Sequence, residues 1–241
     1  MPDISLIMNF HAEGVQAHWS LLGFQRMRDH ALRCNLNVQL IAVLDRSDAD
    51  TRRMVSGHPV LCAGDKVLEV EHGDLGLSRN AGVASADALH VGFLDGDDYC
   101  SANWLVEALR AATAAGHRIV VHPEYTLSHG TCQLIGRSVD QLVEDYPLDS
   151  CFKHHPWVSV VFAAKSVFLE IPYRETRVLE TGYGYEDWDW NLQVVASGRK
   201  HTLAAQTCLF YRRKDQSMLV AMNARKALVR PGPFFDGRPF D

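Results

Sequence analysis

The chain has 241 residues, 47% of them hydrophobic and 22% charged, and a formal net charge of -5. That is ordinary globular composition at a length suited to one large α/β domain, or to a domain with a small appendage. The negative balance argues against a nucleic-acid partner, and no apolar stretch is long enough to span a bilayer, which leaves peripheral membrane contact open.

Residues 4–9 are short and apolar and predict a buried strand, closed by the loop Phe10-His11-Ala12-Glu13-Gly14. No secretory leader is expected, because no basic segment precedes this run. Residues 19–34 carry an approximately helical apolar pattern. Residues 38–44 predict a second buried strand, ending at Asp45-Arg46-Ser47-Asp48. Asp48 or Asp50 is suited to cap a short helix that follows. A short strand is expected over 67–70, a helix over 77–88 and a fourth strand over 90–94. The fourth strand runs straight into Asp95-Gly96-Asp97-Asp98.

Alternating apolar strands and helices imply a mostly parallel sheet with covered faces. Ligands of such sheets sit at the carboxyl ends of the strands. The loops at 10–14, 45–48 and 95–98 are therefore expected to face one crevice. A helix is expected over 102–115 and a strand over 118–122. Residues 123–179 mix Gly, His, aromatics and short apolar runs, as an acceptor-side subdomain would. A helix over 186–197 ends at Gly198, and a late strand covers 202–212. The tail 230–241 is rich in Pro and Gly and predicts irregular chain. Six cysteines form no C-x-x-C pair, so reduced, partly buried thiols of a cytosolic protein are expected.

Three carboxylates within Asp95-Gly96-Asp97-Asp98 repel one another, and a divalent cation would relieve them. Their hard oxygens suit Mg²⁺ or Mn²⁺, ions that commonly share their coordination with phosphates. A solvated acidic turn is the competing reading. In Ser78-Arg79-Asn80-Ala81-Gly82, Arg79 offers a planar donor fork to a diphosphate or a carboxylate. Asn80 can tether a loop, and Gly82 permits close packing. In Tyr185-Glu186-Asp187-Trp188-Asp189, Glu186 and Asp187 open a helix. Tyr185, Trp188 and Trp190 can exclude water and stack on sugars, and a carboxylate placed there could serve as a general base. Asp189 reads as a capping residue. Arg212, Arg213 and Lys214 gather cations after the late strand, where they suit a leaving diphosphate or form a solvated charge run. His154-His155-Pro156-Trp157 is a candidate lining for an acceptor pocket.

In this order and spacing the motifs resemble the inverting GT-A glycosyltransferases of family 2. The resemblance covers residues 4–14, 43–48, 78–82 with 95–98, and 185–189, nearly the length of the chain, and extends to Phe210-Tyr211-Arg212-Arg213 and Ser217-Met218. It implies a single GT-A catalytic domain over 1–241. Residues 1–100 would bind the nucleotide sugar, 101–220 the acceptor, and 221–241 would form a tail. It implies transfer with inversion at the anomeric carbon, with Asp187 deprotonating the acceptor hydroxyl and Glu186 beside it. On the donor side it implies Phe10, His11, Glu13, Asp45, Arg79, Asp95, Arg213 and Lys214, with Asp45 at the nucleobase or ribose. Asp97 and Asp98 would hold Mn²⁺ or Mg²⁺, and Trp157, Tyr185 and Trp188 would meet a saccharide or lipid-linked saccharide acceptor. Bacterial surface polysaccharide synthesis in the cytoplasm, at the inner face of the membrane, is the implied setting. Two departures stand out. Leu44-Asp45 replaces a frequent Asp-Asp, and Lys214 or Asp215 stands where many relatives place a metal-binding histidine.

A haloacid dehalogenase-type phosphohydrolase would carry its acidic loop after the first strand, not the fourth. A sugar nucleotidyltransferase would show a Gly-rich basic first loop, which residues 9–14 lack. A nucleotide-sugar-binding module without catalysis would keep the donor residues alone; detection of sugar transfer separates it from an enzyme.

Overall fold

The computed structural model describes residues 1–116 and 118–236. In its first part strands and helices alternate: β1 (Ile4–Phe10), α1 (Val15–Arg33), β2 (Val38–Asp45), α2 (Ala49–Ser56), β3 (Lys66–Val70), α3 (Leu75–Ser85) and β4 (His90–Asp95). Then follow β5 (Tyr99–Cys100), α4 (Trp104–Ala115), β6 (Ile119–Gly130) and β7 (Leu134–Arg137). After a 3-10 helix at Leu148–Phe152 come β8 (Phe162–Ala164), α5 (Lys165–Glu170), α6 (Val178–Thr181), α7 (Glu186–Ala196), β9 (Lys200–Arg213) and α8 (Met218–Ala224).

One sheet contains all the strands, in the order β3-β2-β1-β4-β8-β6-β9-β5, with β7 paired to β6. The long ladders are parallel: β1 with β2, β1 with β4, β2 with β3, and β6 with β9. The antiparallel contacts of β8 and β5 are short. Every residue of β1 and β2 is buried, as helices on both faces require. Neighbouring strand residues enter opposite cores. Leu6 and Leu94 join Phe24, Met27 and Trp104 on one face, while Ile7 and Phe93 join Phe168 and Trp190 on the other. Gly82 lets α3 lie against β1, because a Cβ there would stand 2.6 Å from Ile7 Cγ2.

Several boundaries differ from the sequence expectations. Helix α1 begins at Val15 rather than 19, and α3 stops at Ser85, where Ala86 turns extended and Asp87 is held by Gln39 and Lys66. Strand β6 runs through Pro123 to Gly130. It can do so because its register against β9 shifts between Pro123 and Tyr125, so the proline's missing N–H falls at an irregularity of the ladder. Asp48 is the N-cap of α2, its side chain accepting from Thr51 N at 2.7 Å. The six cysteines are all free, but Cys34, Cys62 and Cys132 are exposed rather than partly buried. Of the tail expected to be irregular, residues 237–241 lie outside the described residues.

β6 and β9 bury two histidines against each other. His122 Nε2 and His201 Nδ1 are 2.9 Å apart, His122 Nδ1 donates to Val160 O at 3.0 Å, and Trp157 stacks on His201 at 3.9 Å. Burial pushes His122 down to about 3 and His201 well below its usual value. A free histidine titrates near pH ~6.5. Below that pH the unfolded chain binds protons that the folded chain refuses, so stability falls with pH, over a window that for His122 extends to about 3. The urea midpoint is therefore expected to drop between pH 7.5 and 5, and His201→Asn should flatten that slope. Equal slopes in the two proteins would contradict the assignment. Gly82→Ala should cost about 1–3 kcal/mol by overpacking against Ile7, read as a lower urea midpoint at unchanged m.

Candidate active site

The carboxyl ends of β1, β2 and β4 open on one crevice of about 530 Å³, within the usual range for small-molecule sites. Its walls include Asn9, Phe10, His11, Glu13, Asp45, Asp95 and Asp97, and on the far side Tyr211, Arg212, Lys214 and Gln216 to Leu219. The far wall belongs to the half of the chain expected to bind the acceptor, so the crevice is not divided at residue 100.

Gly96 makes the acidic turn possible. It lies so close to β1 that a Cβ would meet Phe10 Cδ1 at 2.5 Å and Asn9 O at 2.6 Å. Its N–H donates to Asn9 O, and its carbonyl accepts from Ser20 Oγ. The three aspartates of this turn then diverge. Asp95 Oδ1 accepts from Arg79 at 3.0 Å and Oδ2 from Ser159 at 2.9 Å. Asp97 faces the crevice and pairs with Lys214 Nζ at 2.5 Å. Asp98 is sealed in the protein, accepting from Arg212 N at 2.7 Å with Oδ1 while Oδ2 has no partner. Burial, reinforced by Asp97 and Asp95, raises the Asp98 carboxyl well above its usual range. Asp98 is thus turned away from the crevice that a metal ligand would have to face.

Arg79 is fully buried and lies beneath the crevice instead of within it. Its Nη1 donates to Glu186 at 2.9 Å and its Nη2 to Asp95, while Phe93 and Tyr173 offer ring faces at 5.8 and 5.2 Å. Of the two partners foreseen for its fork, carboxylates occupy it and a diphosphate has no access. Asp45 is committed in a similar way, accepting from Gly73 N, Asp74 N and Ser78 Oγ. It shapes the 73–78 turn while still lining the crevice. His11 donates through Nδ1 to Asp45 O, and its N–H donates to Glu13. Burial raises the Glu13 carboxyl, with backbone donation from His11 opposing and the Asp97 charge adding to it.

At the opposite side α7 begins with Glu186 and Asp187. Tyr185 precedes them with φ 56°, a left-handed conformation that costs energy in a tyrosine. Its N–H donates to Met222 Sδ and its hydroxyl to Asn223, which hold the turn. Burial and the neighbouring Asp187 push the Glu186 carboxyl up to about 7, against the opposing charge of Arg79. Asp187 is partly exposed and is not among the residues lining the crevice. Asp189 is structural, gripped by Arg174.

Trp157 does not line a pocket: it is buried, donates to Val139 O and stacks on His201. Trp188 stacks on His155, and Tyr185 lies edge-on to Trp188. Arg213 packs over the Tyr211 ring, whereas Arg212 lines the crevice and donates through Nε to Asp97 O.

Two contributors escaped the sequence reading. Asn9 is buried in the crevice wall with both amide atoms unpartnered, and its polar side chain near the end of a largely apolar strand was an available signal. Ser159 carries no pattern that marks it.

The donor set bears on the expected cation. Among the described residues no three His, Cys, Asp or Glu side chains cluster as metal ligands. A cage made by the protein alone is therefore absent from those residues. Asp97, with Asp95 behind it, fits the shared kind of site, in which one or two carboxylates are completed by substrate phosphates.

Residues 24–128 match the family model described as Glycosyl transferase family 2. No curated protein matches the chain significantly. Among solved structures, S. aureus TarS 1-349 in complex with UDP-GlcNAc is similar at a TM-score of 0.66 and 15% identity, over 91% of this chain and 61% of that one. TarS 1-349 in complex with UDP gives 0.63 and 15%, over 88% and 61%. S. aureus TarS 1-349 gives 0.60 and 17%, over 87% and 60%. The chain thus spans about three fifths of these structures. It has the GT-A glycosyltransferase fold, and its residues 24–128 carry the family 2 glycosyltransferase signature.

Proposed function

We propose that this protein is an inverting glycosyltransferase that moves a sugar from a nucleoside-diphosphate sugar to a hydroxyl of a saccharide or lipid-linked saccharide. One observation carries the reading. The Asp97–Lys214 pair faces the crevice, and Arg79 ties the neighbouring Asp95 to the Glu186–Asp187 turn. The reading puts a diphosphate site at the first pair and a carboxylate base at the turn that Arg79 joins to it. The TarS structures that share the fold hold UDP-GlcNAc or UDP, which supports a nucleotide-sugar donor.

In this reading the nucleotide lies along Phe10, His11, Glu13 and Asp45, and the unpartnered amide of Asn9 meets a polar group of the donor. A divalent cation, when bound, supplies positive charge to the diphosphate, and Asp97 with Asp95 would hold it. Lys214 and Arg212 stand where negative charge builds on the leaving group. Asp187 takes the proton of the acceptor hydroxyl as its oxygen forms the bond to the anomeric carbon. The bond from that carbon to the diphosphate breaks, its electron pair leaving with the nucleoside diphosphate. Glu186, held by Arg79, supports the turn, and Tyr185 and Trp188 flank the acceptor. The 1–241 span acts as one catalytic unit. We assign it to bacterial surface polysaccharide synthesis in the cytoplasm at the inner membrane face. No helix among the described residues is long and apolar enough to cross a membrane.

Calorimetry with UDP and UDP-GlcNAc is expected to show tighter binding with Mn²⁺ than with EDTA, and Asp97→Ala should remove the gain. Equal affinity under both conditions would transfer the charge-neutralising role to Lys214 and Arg212 alone. Asp187→Asn should keep nucleotide affinity and lose about 100- to 10,000-fold in turnover, the range for general-base catalysis. Turnover is read as UDP release from UDP-GlcNAc over a panel of saccharide acceptors, and a near-normal rate would reject Asp187 as the base.

A further inference from the structure

Asp187 and Asn191 lie one turn apart on α7 and therefore on one face of it. The imidazole of His155 spans them. Its Nε2 lies 2.7 Å from Asn191 Nδ2, and its Nδ1 lies 3.7 Å from Asp187 Oδ2. The ring is stacked on Trp188 at 5.7 Å and 3°. Trp188 is itself fixed by donation from Nε1 to Cys151 O at 3.2 Å. The other carboxylate oxygen of Asp187 accepts from Trp188 N at 2.8 Å. His155 is thus held on one face by Trp188 and at Nε2 by Asn191, with Nδ1 left toward Asp187.

The two neighbours select the same tautomer. An amide N–H from Asn191 needs a lone pair on Nε2, which places the proton on Nδ1. The carboxylate of Asp187 also asks for a proton on Nδ1. The opposite tautomer would set the Nδ1 lone pair against carboxylate oxygen and the Nε2 proton against an amide N–H. We propose that His155, with its tautomer fixed by Asn191, is a positioning residue that presents Nδ1–H to Asp187 and holds that carboxylate ionised and oriented for the acceptor hydroxyl. This inference rests on the base role proposed above for Asp187. At 3.7 Å the contact is longer than a hydrogen bond, and catalytic contacts of this kind shorten once substrate excludes water.

The electrostatic surroundings are compatible with this arrangement. Arg79, Glu186, Tyr173 and Tyr211 act on Asp187 from α3, its own helix, the 171–177 segment and β9. Behind His155 stand His122 and His201 of β6 and β9. Burial lowers the pKa of His155 and Asp187 opposes this, so the ring serves as a neutral donor near neutral pH.

Two measurements test the proposal. In ¹⁵N-imidazole NMR of the intact protein at pH 7.5, His155 should be the Nδ1–H tautomer, and Asp187→Asn should lower its pKa by removing the facing charge. An Nε2–H tautomer, or a pKa indifferent to Asp187→Asn, overturns the proposal without any need for turnover. In kinetics with UDP-GlcNAc and the acceptor panel, His155→Phe keeps a ring on Trp188 but offers no donor. It should lower kcat roughly 10- to 100-fold, the range for outer partners of a functional ligand. It should also leave donor KM unchanged and move the acidic limb of the kcat–pH profile upward. His155→Asn, whose amide reaches the Nδ1 position, should restore much of both. If Asp187→Asn is inactive while His155→Phe matches the wild type in kcat and acidic limb, the role of His155 fails and the base assignment stands. If Asp187→Asn turns over normally, the base assignment itself fails.

Discussion

Arg79 has no contact with water, yet it carries a charge that costs several kcal/mol to bury unless fully paired. The fold meets that cost with two carboxylates, Asp95 from the end of β4 and Glu186 from the start of α7, the latter 107 residues away in sequence. Phe93 and Tyr173 add aromatic faces. None of the three charged groups can move without stranding another. The spacing between the acidic turn and the Glu186–Asp187 turn is therefore set by one side chain. Ser159 donates to the remaining oxygen of Asp95, which fixes the orientation of that carboxylate at the crevice wall.

The same constraint sorts the aspartates of the tetrapeptide at 95–98. Carboxylates this close cannot all be solvated and all face one cavity. One is neutralised from below by Arg79, one from across the crevice by Lys214, and one is buried with its pKa driven up. Asp95 and Asp97 both line the crevice, whereas Asp98 is sealed in the protein. The acidic turn thus presents two carboxylates to the crevice above a buried one, a division that composition alone does not reveal.

What the sequence disclosed follows from the range of the interactions involved. Strands β1, β2 and β4 are largely apolar runs, and the turns after β2 and β4 are marked by short-range chemistry: Asp48 as a cap, Asp45 and Asp95 at strand ends. Those features were legible, as was the convergence of the three loops. Asn80 tethering Tyr173 and Gly82 packing on Ile7 also answered to local logic. Arg79 was legible as a carboxylate binder but not as a buried one, because burial depends on partners that arrive from α7. Trp157 looked like a sugar platform because an aromatic beside histidines has the same composition in a pocket and in a core. Only the pairing of β6 with β9 decides for the core. Residues 123–179 were opaque for a similar reason. Their strands β7 and β8 are four and three residues long, and periodicity needs more residues than that.

The chain after β9 joins the two sides of the site a second time. Gln216, Ser217, Met218 and Leu219 line the crevice, and α8 begins at Met218, capped by Ser217. One turn further on, Met222 and Asn223 accept from Tyr185, and Leu228 bonds Gly182 and Gly184. Tyr185 can hold its left-handed backbone because these partners surround it. Its conformation in turn sets the direction in which α7 departs, and hence where Asp187 points. Residues 216–228 therefore form part of the crevice wall and part of the brace under the proposed base. Arg79 makes the first link from beneath the sheet ends and this segment makes the second from the surface. With both in place, the wall of the crevice and the Glu186–Asp187 turn behave as one packed unit, although β4 and α7 lie far apart in the chain.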